Sequence, residues 1–199
     1  NQDGRSSGLT VPNGVSQQKV IRQALTNSGV EAKDISYIEA HGTGTSLGDP
    51  IEITALGEVL ARNNDTPLLV GAVKTNIGHL EATAGIAGLI KVVLSLQYKQ
   101  IPPHLHFKQP NPYVDWDNVG VNVVDKGENW KQNQPRFAGI SSFGFSGTNA
   151  HVIVGGLNNL VREAEEQREQ RKQSKEKLHL LVLSAKNRLA LQDLDKLYQ

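Results

Sequence analysis

An α/β layered fold is predicted for this 199-residue chain. Strand-like apolar runs alternate with helical patterns, capping residues and glycines mark the ends of those runs, and the late part of the chain reads as consecutive strands. With 38% apolar and 21% charged residues, the length suits one full domain and a tail. Lys and Arg exceed Asp and Glu by only 21 − 20 = 1. That balance argues against nucleic-acid binding, which needs a net basic face to neutralise phosphates. No run reaches the ~18 apolar residues of a membrane span; the nearest, residues 82–96, is interrupted by Lys91 and by Gly85 and Gly88. No secretory pattern opens the chain, so a cytoplasmic location is expected. The absence of Cys excludes a disulfide framework, a thiolate zinc site and a cysteine nucleophile within these residues. There is no Met either, and the chain reads as a piece of something longer.

The elements follow in order. Residues 1–14 hold Asp3-Gly4, Ser7-Gly8 and Pro12-Asn13-Gly14 and read as loop. A helix is expected from about Ser16, with Val20, Ile21, Ala24 and Leu25 on one face and Gly29 at its left-handed stop. Residues 35–40 are a short strand. Asp49 as N-cap, Pro50 at the first helical position and Glu52 two residues later start a second helix, with Ile51, Ala55, Leu56, Val59 and Leu60 facing inward. Residues 68–73 form a buried strand. A third helix spans about residues 81–98. It is apolar nearly all round, with small residues at Ala84, Gly85, Ala87 and Gly88, which predicts burial between layers. Strand pieces at residues 120–124 and 136–154 follow Pro102-Pro103. From residue 158 to 177 the chain carries six Lys/Arg and five Asp/Glu and little that is apolar, so it reads as a solvated helix or linker. Residues 178–185 restart a strand pattern and residues 187–198 a helix. The domains are therefore drawn as 1–155, a charged linker 156–177, and the start of a further unit at 178–199.

Three motifs carry chemistry. In EAHGTGTSLGDP, residues 39–50, a strand ends at His41 and a Gly/Thr loop leads into a helix. The loop could cradle an anion on helix N–H groups, but Gly42, Gly44 and Gly48 are spaced one residue too long for the dinucleotide fingerprint. The alternative is a tight turn with a structural His. In GAVKTNIGHLEATAG, residues 71–85, another strand ends in a loop presenting His79, 79 − 41 = 38 residues on. In adjacent parallel strands both imidazoles would emerge at one carboxyl edge, where α/β folds place their sites. At a helix N-terminus His79 would be disfavoured as imidazolium, and a neutral imidazole can donate to a developing oxyanion. Lys74 stands within reach to orient a neighbour. Two catalytic and two structural histidines are both open on spacing alone. In RFAGISSFGFSGTNAHVIV, residues 136–154, Ser146 lacks the nucleophile-elbow pattern, and a small-residue hairpin turn approaching a ligand fits better. His151 fits a buried, hydrogen-bonded core residue. His104 and His106 alternate onto one strand face. They read as surface or interface residues, or as a metal pair with no third ligand nearby.

Taken together, EAHGTGT, VKTNIGH and FGFSGTNAHVIV, preceded by NQDGRSSGLTVPNGVSQ, resemble the ketosynthase domain of modular polyketide synthases over residues 1–154. LHLLVLSAKNRLAL resembles the start of the linker that joins such a domain to an acyltransferase. Thr75 stands where Ser is usual, and Ser146 where Gly is common. The resemblance implies the second half of a thiolase-like α-β-α-β-α fold, with the nucleophilic Cys in the other half. It implies decarboxylative Claisen condensation of an acyl thioester with a malonyl-type extender. In that chemistry His41 and His79 stabilise the enolate, one of them also supports the thiolate, and Lys74 orders the pocket. Thr43, Thr45, Asn76, Gly144, Phe145 and Ser146 would contact substrate, with Phe145 and the 144–147 turn lining the acyl channel and helping to form the oxyanion hole. Substrates would ride on the phosphopantetheine of acyl carrier protein, with no cofactor or metal bound directly. Acyl carrier protein, the adjacent acyltransferase domain and a second copy are the implied partners. The alternative is a non-condensing homologue that binds carrier protein or docks neighbouring domains. On either reading the chain alone is expected to be inactive.

Overall fold

The computed structural model describes residues 1–4, 8, 11–60, 66–130, 136–156 and 187–198. It divides into two compact units, Asn1–Leu157 and Asn158–Gln199. The first is built on a five-stranded sheet in the order β4-β2-β1-β6-β7, with β1 at Ile35–Glu39, β2 at Leu68–Gly71, β4 at Val121–Val123, β6 at Arg136–Phe143 and β7 at Asn149–Gly156. The first four are mutually parallel and β7 returns antiparallel to β6. A two-residue ribbon of β3 (Gln100–Ile101) and β5 (Glu128–Asn129) lies apart from this sheet.

Helices α1 (Gly14–Ser28) and α2 (Gly48–Leu60) share one core with the sheet, where Ile21, Ile53, Leu56 and Leu60 meet Ile35, Ile38, Leu68 and Val70. Helix α4 (Ala84–Tyr98) belongs to a second core, in which Val92 and Leu96 pack with Tyr37, Val124, Trp130 and Ile140. The pairing of β1 with β6 shifts between Ile35 and Tyr37. The shift breaks simple alternation, so Ile35 and Ile38 join the first core while Tyr37 joins the second.

Several boundaries differ from expectation for local reasons. Helix α1 starts at Gly14, because the Asn13 side chain caps it by accepting from Ser16 N at 3.2 Å, and it ends on left-handed Gly29 (φ 66). Helix α2 begins one residue before Asp49. Thr45 Oγ1 accepts from Gly48 N at 2.9 Å, and the Asp49 carboxylate turns back to accept from Gly44 N at 3.1 Å. A four-residue helix, α3 (Lys74–Ile77), occupies the expected loop after β2, and a 3-10 turn at Glu81–Thr83 precedes α4. The expected burial of α4 between layers is seen on one side within this half of the fold. Ala84, Gly88, Val92, Ser95 and Leu96 are buried against the sheet, whereas Ile86, Ile90, Val93, Leu94 and Tyr98 are exposed, because the sheet covers one face only.

His104 and His106 are corrected, since neither lies on a strand. His104 is half-buried and its Nδ1 accepts from Ala72 N at 3.2 Å, which ties the loop to the end of β2. His106 is exposed in a left-handed turn (φ 62). No group of three metal-ligating side chains occurs among the described residues, and no described helix is long and apolar enough to cross a membrane. The charged stretch 158–177 and the strand pattern at 178–185 lie outside the described residues. In the second unit α5 covers Arg188–Tyr198, and Asn187 Oδ1 accepts from Ala190 N at 2.9 Å at its start.

Candidate active site

Three neighbouring strands deliver one site. In the order β2-β1-β6, the chain leaves β1 at His41, leaves β2 through α3 to His79, and ends β6 at Phe143. The imidazoles of His41 and His79 meet edge to face, with centroids 5.5 Å apart, and the Phe143 ring lies 5.6 Å from that of His41. Ala40 N donates to Gly71 O at 2.8 Å, carrying the β1–β2 ladder up to the residue before His41.

Each ring has one nitrogen occupied by backbone. His41 Nδ1 accepts from Phe143 N at 3.5 Å, and His79 Nδ1 accepts from Glu81 N at 2.9 Å. In a neutral imidazole this leaves the proton on Nε2 of both rings. His79 therefore sits before a single 3-10 turn whose Glu81 N–H it takes up itself, rather than at the start of the long helix. Burial, with the charges of Lys74 and His79, lowers the His41 pKa to about 4, so the ring is neutral at pH 7.

Glu52 holds the His41 turn. Its two carboxylate oxygens accept from His41 N at 2.8 Å and Gly42 N at 2.9 Å. Burial pushes its pKa up to about 7 against those two bonds. The turn also needs glycine at position 42, whose φ is 48 and where a Cβ would fall 2.9 Å from Ala72 Cβ. Lys74 opens α3, half-buried. Burial lowers its pKa while Glu52 and Glu39 oppose that shift.

A cavity of about 620 Å³ opens on the pair, lined by His41, His79, Thr43, Thr45, Phe143, Gly144 and Phe145 among others. Phe145 stands 72% exposed at the tip of the β6–β7 hairpin. Of the substrate-contact candidates, Thr43, Thr45, Gly144 and Phe145 line this cavity. Asn76 lines a separate apolar groove along α4. Ser146 is exposed on the hairpin turn, where its carbonyl accepts from Gln2 Nε2 at 3.0 Å. The sequence pattern gives Glu52 only a first-turn place at the start of α2, and gives Glu39 no role. A charged residue inside the apolar run ISYIEA, and Lys91 inside the apolar helix α4, are the available signal for Glu39, since buried charges need partners.

Residues 1–108 match the family described as beta-ketoacyl synthase, C-terminal domain, and residues 110–199 match the ketoacyl-synthetase C-terminal extension. The phenolphthiocerol/phthiocerol polyketide synthase of Mycobacterium tuberculosis includes a polypeptide that is 55% identical over 157 residues, 77% of this chain and 8% of that protein. Erythronolide synthase EryA3 of Saccharopolyspora erythraea is 55% identical over 157 residues, 77% of this chain and 5% of that protein. The chain thus spans less than a tenth of these relatives. Among solved structures, ketosynthase twelve of the bacillaene polyketide synthase of Bacillus amyloliquefaciens superposes with a TM-score of 0.74 at 41% identity, over 79% of this chain and 29% of that one. The ketosynthase from module 6 of the Bacillus subtilis bacillaene synthase gives a TM-score of 0.73 at 34% identity, over 90% of this chain and 35% of that one.

Proposed function

Since the chain belongs to the beta-ketoacyl synthase family, as the C-terminal part of a modular polyketide synthase ketosynthase with its extension, we propose that His41 and His79 stabilise the enolate formed when a malonyl-type thioester loses carbon dioxide. The observation that carries this reading is the pair of rings at 5.5 Å on one cavity, each with Nδ1 taken by a backbone N–H. Two Nε2–H donors then serve one thioester oxygen. As the bond to the carboxylate breaks, its electron pair moves onto that oxygen, and preorganised donors are worth most where such charge develops. A neutral His41 suits the role, because it gives a hydrogen bond without surrendering a proton. Lys74 contributes by disfavouring the imidazolium of His41.

The enolate carbon then attacks the carbonyl of an acyl thioester, and a thiolate leaves. The chain contains no cysteine, so the acyl group is assigned to a nucleophile in the part of the ketosynthase outside these residues, and this chain alone is expected to be inactive. The malonyl group is assigned to the phosphopantetheine arm of acyl carrier protein. Thr43 and Thr45 would meet the arm, and Gly144 and Phe145 the acyl chain, from their places on the cavity wall. Acyl carrier protein, an adjacent acyltransferase domain and a second copy are the partners this reading entails.

The test is decarboxylation of malonyl carrier protein by the intact ketosynthase, followed by mass spectrometry of the acetyl carrier product. His41→Ala and His79→Ala should each lower the rate about a hundredfold or more. Parent-level decarboxylation in both variants would overturn the reading.

A further inference from the structure

Glu39, at the last position of β1, is a buried carboxylate that the chemistry above does not use. Its two oxygens serve different partners. Oε2 accepts from the Tyr37 hydroxyl at 2.8 Å and forms an ion pair with Lys91 Nζ of α4 at 2.8 Å. Lys91 also donates to the Tyr37 oxygen at 2.9 Å, which closes a triangle. Oε1 accepts from the backbone N–H of Val73, the residue immediately before Lys74. The ion pair is secluded, with the Lys91 and Glu39 side chains only 9% and 2% exposed. Helix α4 lies so close over it that a Cβ on Gly88 would fall 3.1 Å from Glu39 Cγ.

Resting on the enolate reading, we propose that Glu39 is a positioning residue, which fixes through Val73 the segment that carries Lys74 and His79. That segment runs from β2 through the four residues of α3 and Gly78 to His79, with no strand pairing of its own. The Val73 N–H is where the carboxylate takes hold of it. Lys91 and Tyr37 keep the other oxygen turned away, so the grip has one orientation. Only a carboxylate meets all three donors, because it accepts on both oxygens.

An amide has a single acceptor, and this supplies the test. In Glu39→Gln the charged Lys91 and Tyr37 draw the amide oxygen, leaving the amide NH2 against the Val73 N–H, two donors face to face. Removing the ammonium as well, in Glu39→Gln with Lys91→Met, lets Tyr37 accept from the amide NH2 while the amide oxygen returns to Val73. In the intact ketosynthase, Glu39→Gln should lower kcat for malonyl decarboxylation about tenfold with KM within about twofold. The double variant should recover to within about threefold of the parent kcat. Thermal unfolding of each variant is recorded beside the kinetics. An unchanged kcat in Glu39→Gln, or a folded double variant no faster than the single one, overturns the proposal. So does loss of folding in both, which assigns the network to stability alone. If instead His41→Ala and His79→Ala decarboxylate at the parent rate, it is the enolate reading that has failed.

Discussion

His151 sits in β7 with one ring nitrogen facing Ser141 Oγ at 3.1 Å and the other buried without a partner. Burial lowers its pKa to about 4. Below the ordinary value of 6.5 the unfolded chain takes up a proton that the folded His151 refuses. Its contribution to stability is therefore complete above pH 6.5 and is lost as pH falls toward 4. The full effect is up to about 3 kcal/mol. His151→Gln should flatten the acid side of the stability curve, read from denaturant unfolding of the ketosynthase between pH 7 and pH 4.5; an unchanged acid slope would count against it. The burial of His151 was legible from its apolar strand. The two carboxylates were harder. Glu52 looked like an ordinary first-turn residue of α2, because its target, the His41 turn, comes from across the sheet edge and not from the helix. Glu39 stood in a plainly apolar run, yet its partner Lys91 lies 91 − 39 = 52 residues away, and no periodicity links them.

Elements whose signals are local were read well, and those set by neighbours were not. The strands β1 and β2, the left-handed stop of α1 and the β6–β7 hairpin follow from apolar runs and glycines nearby. The start of α2 and the 3-10 turn before α4 follow from side chains that take up backbone N–H groups, which spacing alone does not reveal. The seat of α2 shows the same dependence. Gly57 lies in its interior, where Ala would ordinarily gain about 1 kcal/mol of helix propensity. A Cβ there would stand 2.6 Å from Val119 Cγ2 and 2.7 Å from Val119 O. A backbone carbonyl cannot rotate aside as a side chain does, so the clash outweighs the propensity gain. Gly57→Ala should destabilise the domain by about 1–3 kcal/mol, and a rise in its unfolding midpoint would contradict this.

For the whole molecule, the exposed face of α4 is the feature with most consequence. Ile86 and Ile90 are each more than half exposed, with Val93, Leu94 and Tyr98 beside them, and an apolar groove of about 620 Å³ runs along the same helix. A contiguous apolar surface of this kind drives association. The isolated chain should self-associate with rising concentration in sedimentation velocity, and Ile86→Glu with Ile90→Glu should return it to monomer. A parent chain that stays monomeric at high concentration would refute this. The sequence had marked α4 as apolar on nearly every side, but only the structure shows which side the sheet leaves bare. The other large-scale lesson concerns spacing. Adjacent strands lie about 4.8 Å apart, and the two imidazoles, one delivered by each of two such strands, lie 5.5 Å apart. The separation of the ring centres is thus close to the repeat of the backbone ladder, although α3 lies between β2 and His79. On the proposed reading, the pocket wall at Phe145 could be exchanged to suit a different acyl chain while the two rings keep their spacing.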